Sequence, residues 1–117
     1  MKVLHLISGG DSGGAKTHVL SLLKDLNANI QADLVCYMEG DFSREARDMG
    51  IPVTVLDGGF RAGIAGTRTV IETGNYDIVH CHGSRANLTG TILKRSFDIP
   101  FISTVHSDYK LDYLGRP

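Results

Sequence analysis

The strongest constraint on how this chain folds is a junction near its start. An apolar run from Val3 to Ile7 meets Gly9, Gly10, Gly13 and Gly14, four glycines within six residues, and an amphipathic pattern begins directly after them. Ala15, Val19, Leu22, Leu23 and Leu26 recur at helical spacing, while Lys16, Ser21, Lys24 and Asp25 fall off that stripe. The pattern predicts a strand, a glycine loop and a helix in succession, with Asp11 or Ser12 placed to cap the helix. A helix starting at such a loop directs unpaired N–H groups and a partial positive charge outwards, and glycines let a ligand approach the main chain closely. The junction therefore suits an anion, phosphate above all. Glycines alone do not separate a phosphate cradle from an unliganded turn.

Four further apolar runs follow: Ala32 to Met38, Ile51 to Leu56, Tyr76 to His82 and Ile99 to His106. Between them lie helix candidates at Phe42 to Met49 and Ile64 to Thr73, and a third on which Ala86, Gly90, Leu93 and Phe97 share a face. Gly50 closes the first of these as a C-cap, and Gly63, Gly66 and three threonines dilute the second. Apolar strands alternating with helices call for a parallel sheet covered on both faces. The expected fold is thus α/β, a doubly wound Rossmann-like sheet of about five parallel strands in the order 3-2-1-4-5. Ser107 to Leu114 reads as a polar and aromatic tail.

With 117 residues the chain makes one domain. Twelve Lys plus Arg against thirteen Asp plus Glu leave a net charge of −1, so no broad field favours nucleic acid or an anionic membrane. No run approaches the length of a membrane span, and Lys2 to Ile7 is too short and too interrupted by His5 for a signal peptide, which leads to the expectation of a soluble, cytoplasmic protein. Cys36 and Cys81 lie in strands that flank the first one, roughly 10 Å apart and too far for a disulfide.

In the expected strand order the switch point lies between strands one and four, and ligands bind outside the carboxyl ends there. The glycine loop, the stretch His80-Cys81-His82-Gly83-Ser84-Arg85 and the stretch Thr104-Val105-His106-Ser107 all converge on that crevice. A dinucleotide fingerprint fails, because Asp11 or Ser12 stands where its second glycine belongs. A phosphate-binding loop is a closer miss, with Ala15 in place of the glycine before Lys16-Thr17. His80 and His82 point the same way on a strand and offer zinc two ligands, with His106 as a third, but no fourth ligand supports the idea and no metal is assigned. His80 and His5 read more simply as packed strand residues.

Gly13-Gly14-Ala15 followed by His18-Val19, Tyr76-Asp77-Ile78-Val79-His80-Cys81-His82-Gly83, and Ile102-Ser103-Thr104-Val105-His106 together resemble the amino-terminal half-domain of the retaining glycosyltransferases of family 4 (group 1), which have the two-Rossmann GT-B fold. The match runs through the chain in the right order. His82 to Leu88 further resembles members that act in bacterial polysaccharide and cell-envelope assembly.

The resemblance implies hexosyl transfer from a nucleotide sugar to a saccharide or lipid-linked acceptor, with the nucleotide sugar as substrate, no cofactor and no obligatory metal. Gly13 and Gly14 match the glycine pair that approaches the donor diphosphate, His106 matches the active-site histidine beside the transferred sugar, and His82, Ser84 and Arg85 match a loop beside the acceptor crevice. Lys16 departs from the family's usual glutamate or glutamine. The family's second Rossmann domain, with its paired glutamates, has no counterpart in these residues, so 1–117 is expected to be a truncated acceptor-side domain, inactive alone. The full-length enzyme is expected in the cytoplasm, peripheral at the inner membrane face. Truncation is expected to leave strand five as a bare edge that favours homodimers or a domain swap. The competing class is a self-sufficient nucleotide- or phosphate-binding module, flavodoxin-like or with a degenerate phosphate loop. A reading frame that stops at Pro117 favours the module, and one that continues for roughly two hundred residues favours the transferase.

Overall fold

The structure, a computed structural model, describes residues 1–9, 23, 30–105 and 110–113, with Val105 and the last four as backbone alone. Six strands form one sheet: β1 (Lys2–Ile7), β2 (Gln31–Cys36), β3 (Val53–Val55), β4 (Ile78–His82), β5 (Phe101–Val105) and β6 (Lys110–Tyr113). Their spatial order is β3-β2-β1-β4-β5-β6, and the first five run parallel as expected. The described helices are α1 (Asp41–Asp48), α2 (Phe60–Gly74) and α3 (Ser84–Leu93), the last continued by a 3-10 turn at Lys94–Ser96. The helix expected from Ala15 to Leu26 lies outside the described residues except for Leu23, which is helical and buried.

Alternation along the strands divides the core into two layers. Leu4, Leu6, Val35, Val79, Cys81 and Phe101 pack with Ile71 of α2 and with Ala86 and Leu93 of α3. Ile7, Leu34 and Cys36 pack on the opposite side with Phe42 and Ala46 of α1 and with Leu23. Helices thus cover both faces, the arrangement that near-continuous apolar strands demand. Cys36 and Cys81 are free thiols in different layers, on the two strands that flank β1. Burial pushes both thiols up to about 12.

α2 starts at Phe60 and absorbs every residue that weakened its prediction. The hydroxyls of Thr67, Thr69 and Thr73 donate to the carbonyls of Gly63, Ala65 and Thr69, one turn back. Gly63 and Gly66 leave room for Tyr37 and Leu56 to press against the helix backbone.

One expectation is corrected. The residues read as a tail contain β6, which pairs antiparallel with β5 from Ile102↔Tyr113 to Val105↔Lys110. The edge of β5 is therefore occupied within the chain, and the bare edge that motivated dimerisation or a swap is not there.

The amino ends of the strands carry a polar clasp. The Lys2 ammonium donates to the Gly74 carbonyl at 2.6 Å and sits 4.8 Å from the centre of the Tyr76 ring, and the Lys2 N–H donates to Asp77. The Tyr76 hydroxyl donates to Asp33 on β2 at 2.6 Å. Burial and that carboxylate together raise the Tyr76 phenol.

Candidate site at the carboxyl ends of the strands

The register aligns the functional ends of three strands. Ile7 lies opposite His82, and His82 opposite Thr104, so the segments following β1, β4 and β5 leave the sheet from one row. This is the switch point of the strand order, because β1 has β2 on one side and β4 on the other. Gly13, Gly14 and His106 lie outside the described residues, which stop at Gly9 on one side of the row and at Val105 on the other.

The start of the glycine loop is fixed by β2. The Tyr37 N–H donates to the Ser8 carbonyl at 3.0 Å, and Gly9 adopts φ +87° beneath the Met38 carbonyl. His82 closes β4 and is buried, whereas Ser84, the first residue of α3, is exposed. Arg85 is half-buried, and its guanidinium stacks over the Tyr37 ring at 5.0 Å. The Tyr37 hydroxyl donates in turn to Thr67, whose own hydroxyl is committed to Gly63. Burial pushes the Tyr37 phenol up to about 12, so it remains neutral beside the cation. The first turn of α3 has no acidic residue. Helix dipole and guanidinium therefore add up to a positive corner at the carboxyl rim.

Beneath this corner lies a row of imidazoles. His5 Nδ1 is 3.0 Å from His82 Nε2, the His80 and His82 ring centres are 3.9 Å apart, and His80 Nε2 bonds the Thr104 hydroxyl. Burial, followed by the neighbouring His80, holds the His5 pKa down to about 3. His80 and His5 are packed strand residues, as expected, but they are not independent ones. Sequence reasoning grouped His80 and His82 with His106; the imidazole found beside them is that of His5 in β1, whose register partner in β4 is His80. Tyr37 was missed as well, although its place at the end of the second apolar run puts it on the same rim.

Among the described residues no helix is long and apolar enough to cross a membrane.

The family model for glycosyltransferase family 4 matches residues 12–117. A D-inositol 3-phosphate glycosyltransferase from Thermobispora bispora is 25% identical over 129 residues, covering 90% of this chain and 29% of that protein. Two crystal structures of HepE from Anabaena, one in complex with UDP and glucose and one with UDP-glucose, superpose with TM-scores of 0.74 and 0.73 at 23% and 22% identity. Each covers 91% of this chain, which in turn spans 30% and 29% of those proteins. The sheet order, the helices on both faces and the family match agree, and the chain belongs to glycosyltransferase family 4.

Proposed function

We propose that this domain forms the acceptor-side half of a retaining hexosyltransferase that moves a sugar from a nucleotide donor to a saccharide or lipid-linked acceptor in bacterial polysaccharide or cell-envelope synthesis. The observation that carries the proposal is the row Ile7, His82, Thr104, which gathers the three motif-bearing segments at one rim of the sheet. Family membership supports transfer as the chemistry, and the UDP and glucose named for the Anabaena structures support a nucleotide-sugar donor.

In this scheme the amides of Gly13 and Gly14 meet the donor diphosphate and stabilise it as leaving group. The bond between the anomeric carbon and the phosphate oxygen breaks, a bond from that carbon to the acceptor oxygen forms with the same anomeric configuration, and the acceptor proton passes to the departing diphosphate. His106 stands beside the transferred sugar. Ser84 and Arg85 line the acceptor side, with buried His82 as the end of the strand that carries them, and the positive corner suits an acceptor that carries a phosphate or carboxylate. The grip on the donor nucleotide is assigned to a second Rossmann unit, so the 117 residues alone are expected not to turn over, and the work is placed at the cytoplasmic face of the inner membrane.

The test is an amide-resolved NMR titration of the chain with UDP-glucose. Joint shifts at Gly13, Gly14 and His106 are expected, with Ser84 and Arg85 responding to a phosphorylated saccharide and Gly50 unmoved. Shifts confined to the amino ends of the strands would overturn the site, and steady release of UDP by the isolated chain would overturn the need for a second unit.

A further inference from the structure

His5, His80 and His82 belong to two adjacent strands and project into one layer of the core, with 2%, 7% and 1% of their surfaces exposed. One nitrogen from each lies within 4.8 Å of the others. Three imidazoles in a place that sheet packing normally gives to aliphatic side chains need a chemical reason. A hydrogen bond joins His5 Nδ1 to His82 Nε2, and the other His5 nitrogen, Nε2, is buried without a hydrogen-bond partner among the described residues.

We propose that His5, His80 and His82 form a binding site for one first-row divalent cation of the zinc type, which staples β1 to β4 at the switch point. Imidazole is the donor that zinc, cobalt, nickel and copper favour over magnesium or calcium. Nitrogens bound to a common zinc at about 2.0–2.1 Å in tetrahedral geometry lie roughly 3.3 Å apart, so the 3.0 Å separation of His5 and His82 already has the right scale. The third nitrogen closes in by rotation of an imidazole about its side-chain torsions. Cation binding replaces the N–H···N bond: the shared proton moves to the other nitrogen of its ring, and both facing lone pairs turn to the metal. His80 is prepared for the role, because a tautomer that donates Nε2–H to Thr104 presents Nδ1 as its lone-pair nitrogen, the outer-shell arrangement that orients metal-bound histidines. The site uses none of the residues assigned to the donor diphosphate and stands whether or not the transfer scheme does.

The test is refolding of the chain from denaturant with one equivalent of Co²⁺, which gives the buried residues access to the ion. Intense tetrahedral d–d absorption without a thiolate charge-transfer band is expected, and stoichiometric Zn²⁺ abolishes it. Long-range ¹H–¹⁵N spectra of the unsubstituted chain should show three imidazoles shifting together on Zn²⁺ binding. His5→Gln, His80→Gln and His82→Gln should each weaken Zn²⁺ at least about tenfold in competition with a chromophoric chelator. A folded chain whose three imidazole spectra do not change with Zn²⁺ overturns the proposal even where the variants fail to fold, as does equal Zn²⁺ affinity in folded variants.

Discussion

Replacing Gly9 by alanine tests how the glycine loop is anchored. Gly9 has φ +87°, and a Cβ there would lie 2.8 Å from the Met38 carbonyl oxygen and 3.1 Å from the Cys36 Cβ. Neither neighbour is free to retreat, because the Tyr37 N–H between them is hydrogen-bonded to the Ser8 carbonyl. The left-handed backbone costs about 1–2 kcal/mol for a residue with a Cβ. Compressing the methyl against packed backbone adds roughly 1–3 kcal/mol. Gly50 supplies the control, with φ +83° and no atom within 4 Å of the added Cβ, so Gly50→Ala carries only the backbone penalty. Gly9→Ala should therefore lose about 2–5 kcal/mol and Gly50→Ala about 1–2 kcal/mol, against a total of roughly 5–15 kcal/mol for a domain of this kind. Urea unfolding followed by far-UV circular dichroism measures both, with the slope m unchanged if only stability has moved. Losses that agree within about 0.5 kcal/mol would show that the Met38 contact contributes nothing, and would refute the account of the loop's anchorage.

Three more outcomes follow from the core. Cys36 and Cys81, both raised to about 12, should stay unreactive towards a thiol reagent at pH 8 and react at the rate of unfolding; fast labelling of the native chain would contradict their burial. Tyr37 is raised from 10.0 to about 12 in the folded state, so its contribution is intact below pH 10 and is lost as pH climbs through 12, on the order of 3 kcal/mol at most. Tyr76 acts in the same direction. Unfolding at pH 8 and pH 11 should show a drop that shrinks in Tyr37→Phe, and a pH-independent stability across that range would be decisive against it. Leu6→Ala, at a fully buried position between the β1 neighbours, should cost about 2–5 kcal/mol in the same urea assay, and a loss under 1 kcal/mol would speak against tight packing there.

The parallel sheet was legible because its strands announce themselves as apolar runs and its helices as stripes, and the common doubly wound strand order then brings the polar clusters together at the switch point. Periodicity, however, describes one strand at a time. It places His80 and His82 on a common side but says nothing about which residue of β1 lies opposite, so His5 was read as core when the register makes it a third member of the row. Lys110-Leu111-Asp112-Tyr113 is too short and too charged to stand out as a strand, and pairing with β5 supplies what its composition does not. α2 was clipped because threonine and glycine lower intrinsic propensity, a deficit that the backward hydroxyl bonds and the close approach of Tyr37 and Leu56 offset in the folded chain. At the candidate site, the types of His82, Ser84 and Arg85 could be read in advance, but the stacking of Arg85 on Tyr37 joins residues too far apart in sequence for any spacing rule.

The clasp of Lys2, Tyr76 and Asp33 gives the sheet an anchored keel. Since these ties lie at the ends of the strands remote from the candidate site, residues at the far rim can be exchanged without loosening them. On the proposed acceptor role, new preferences arise by drift at one rim of the domain while the other keeps the strands in register, and random mutagenesis that tests this role belongs around Ser84 and Arg85, with Lys2, Asp33 and Tyr76 held fixed.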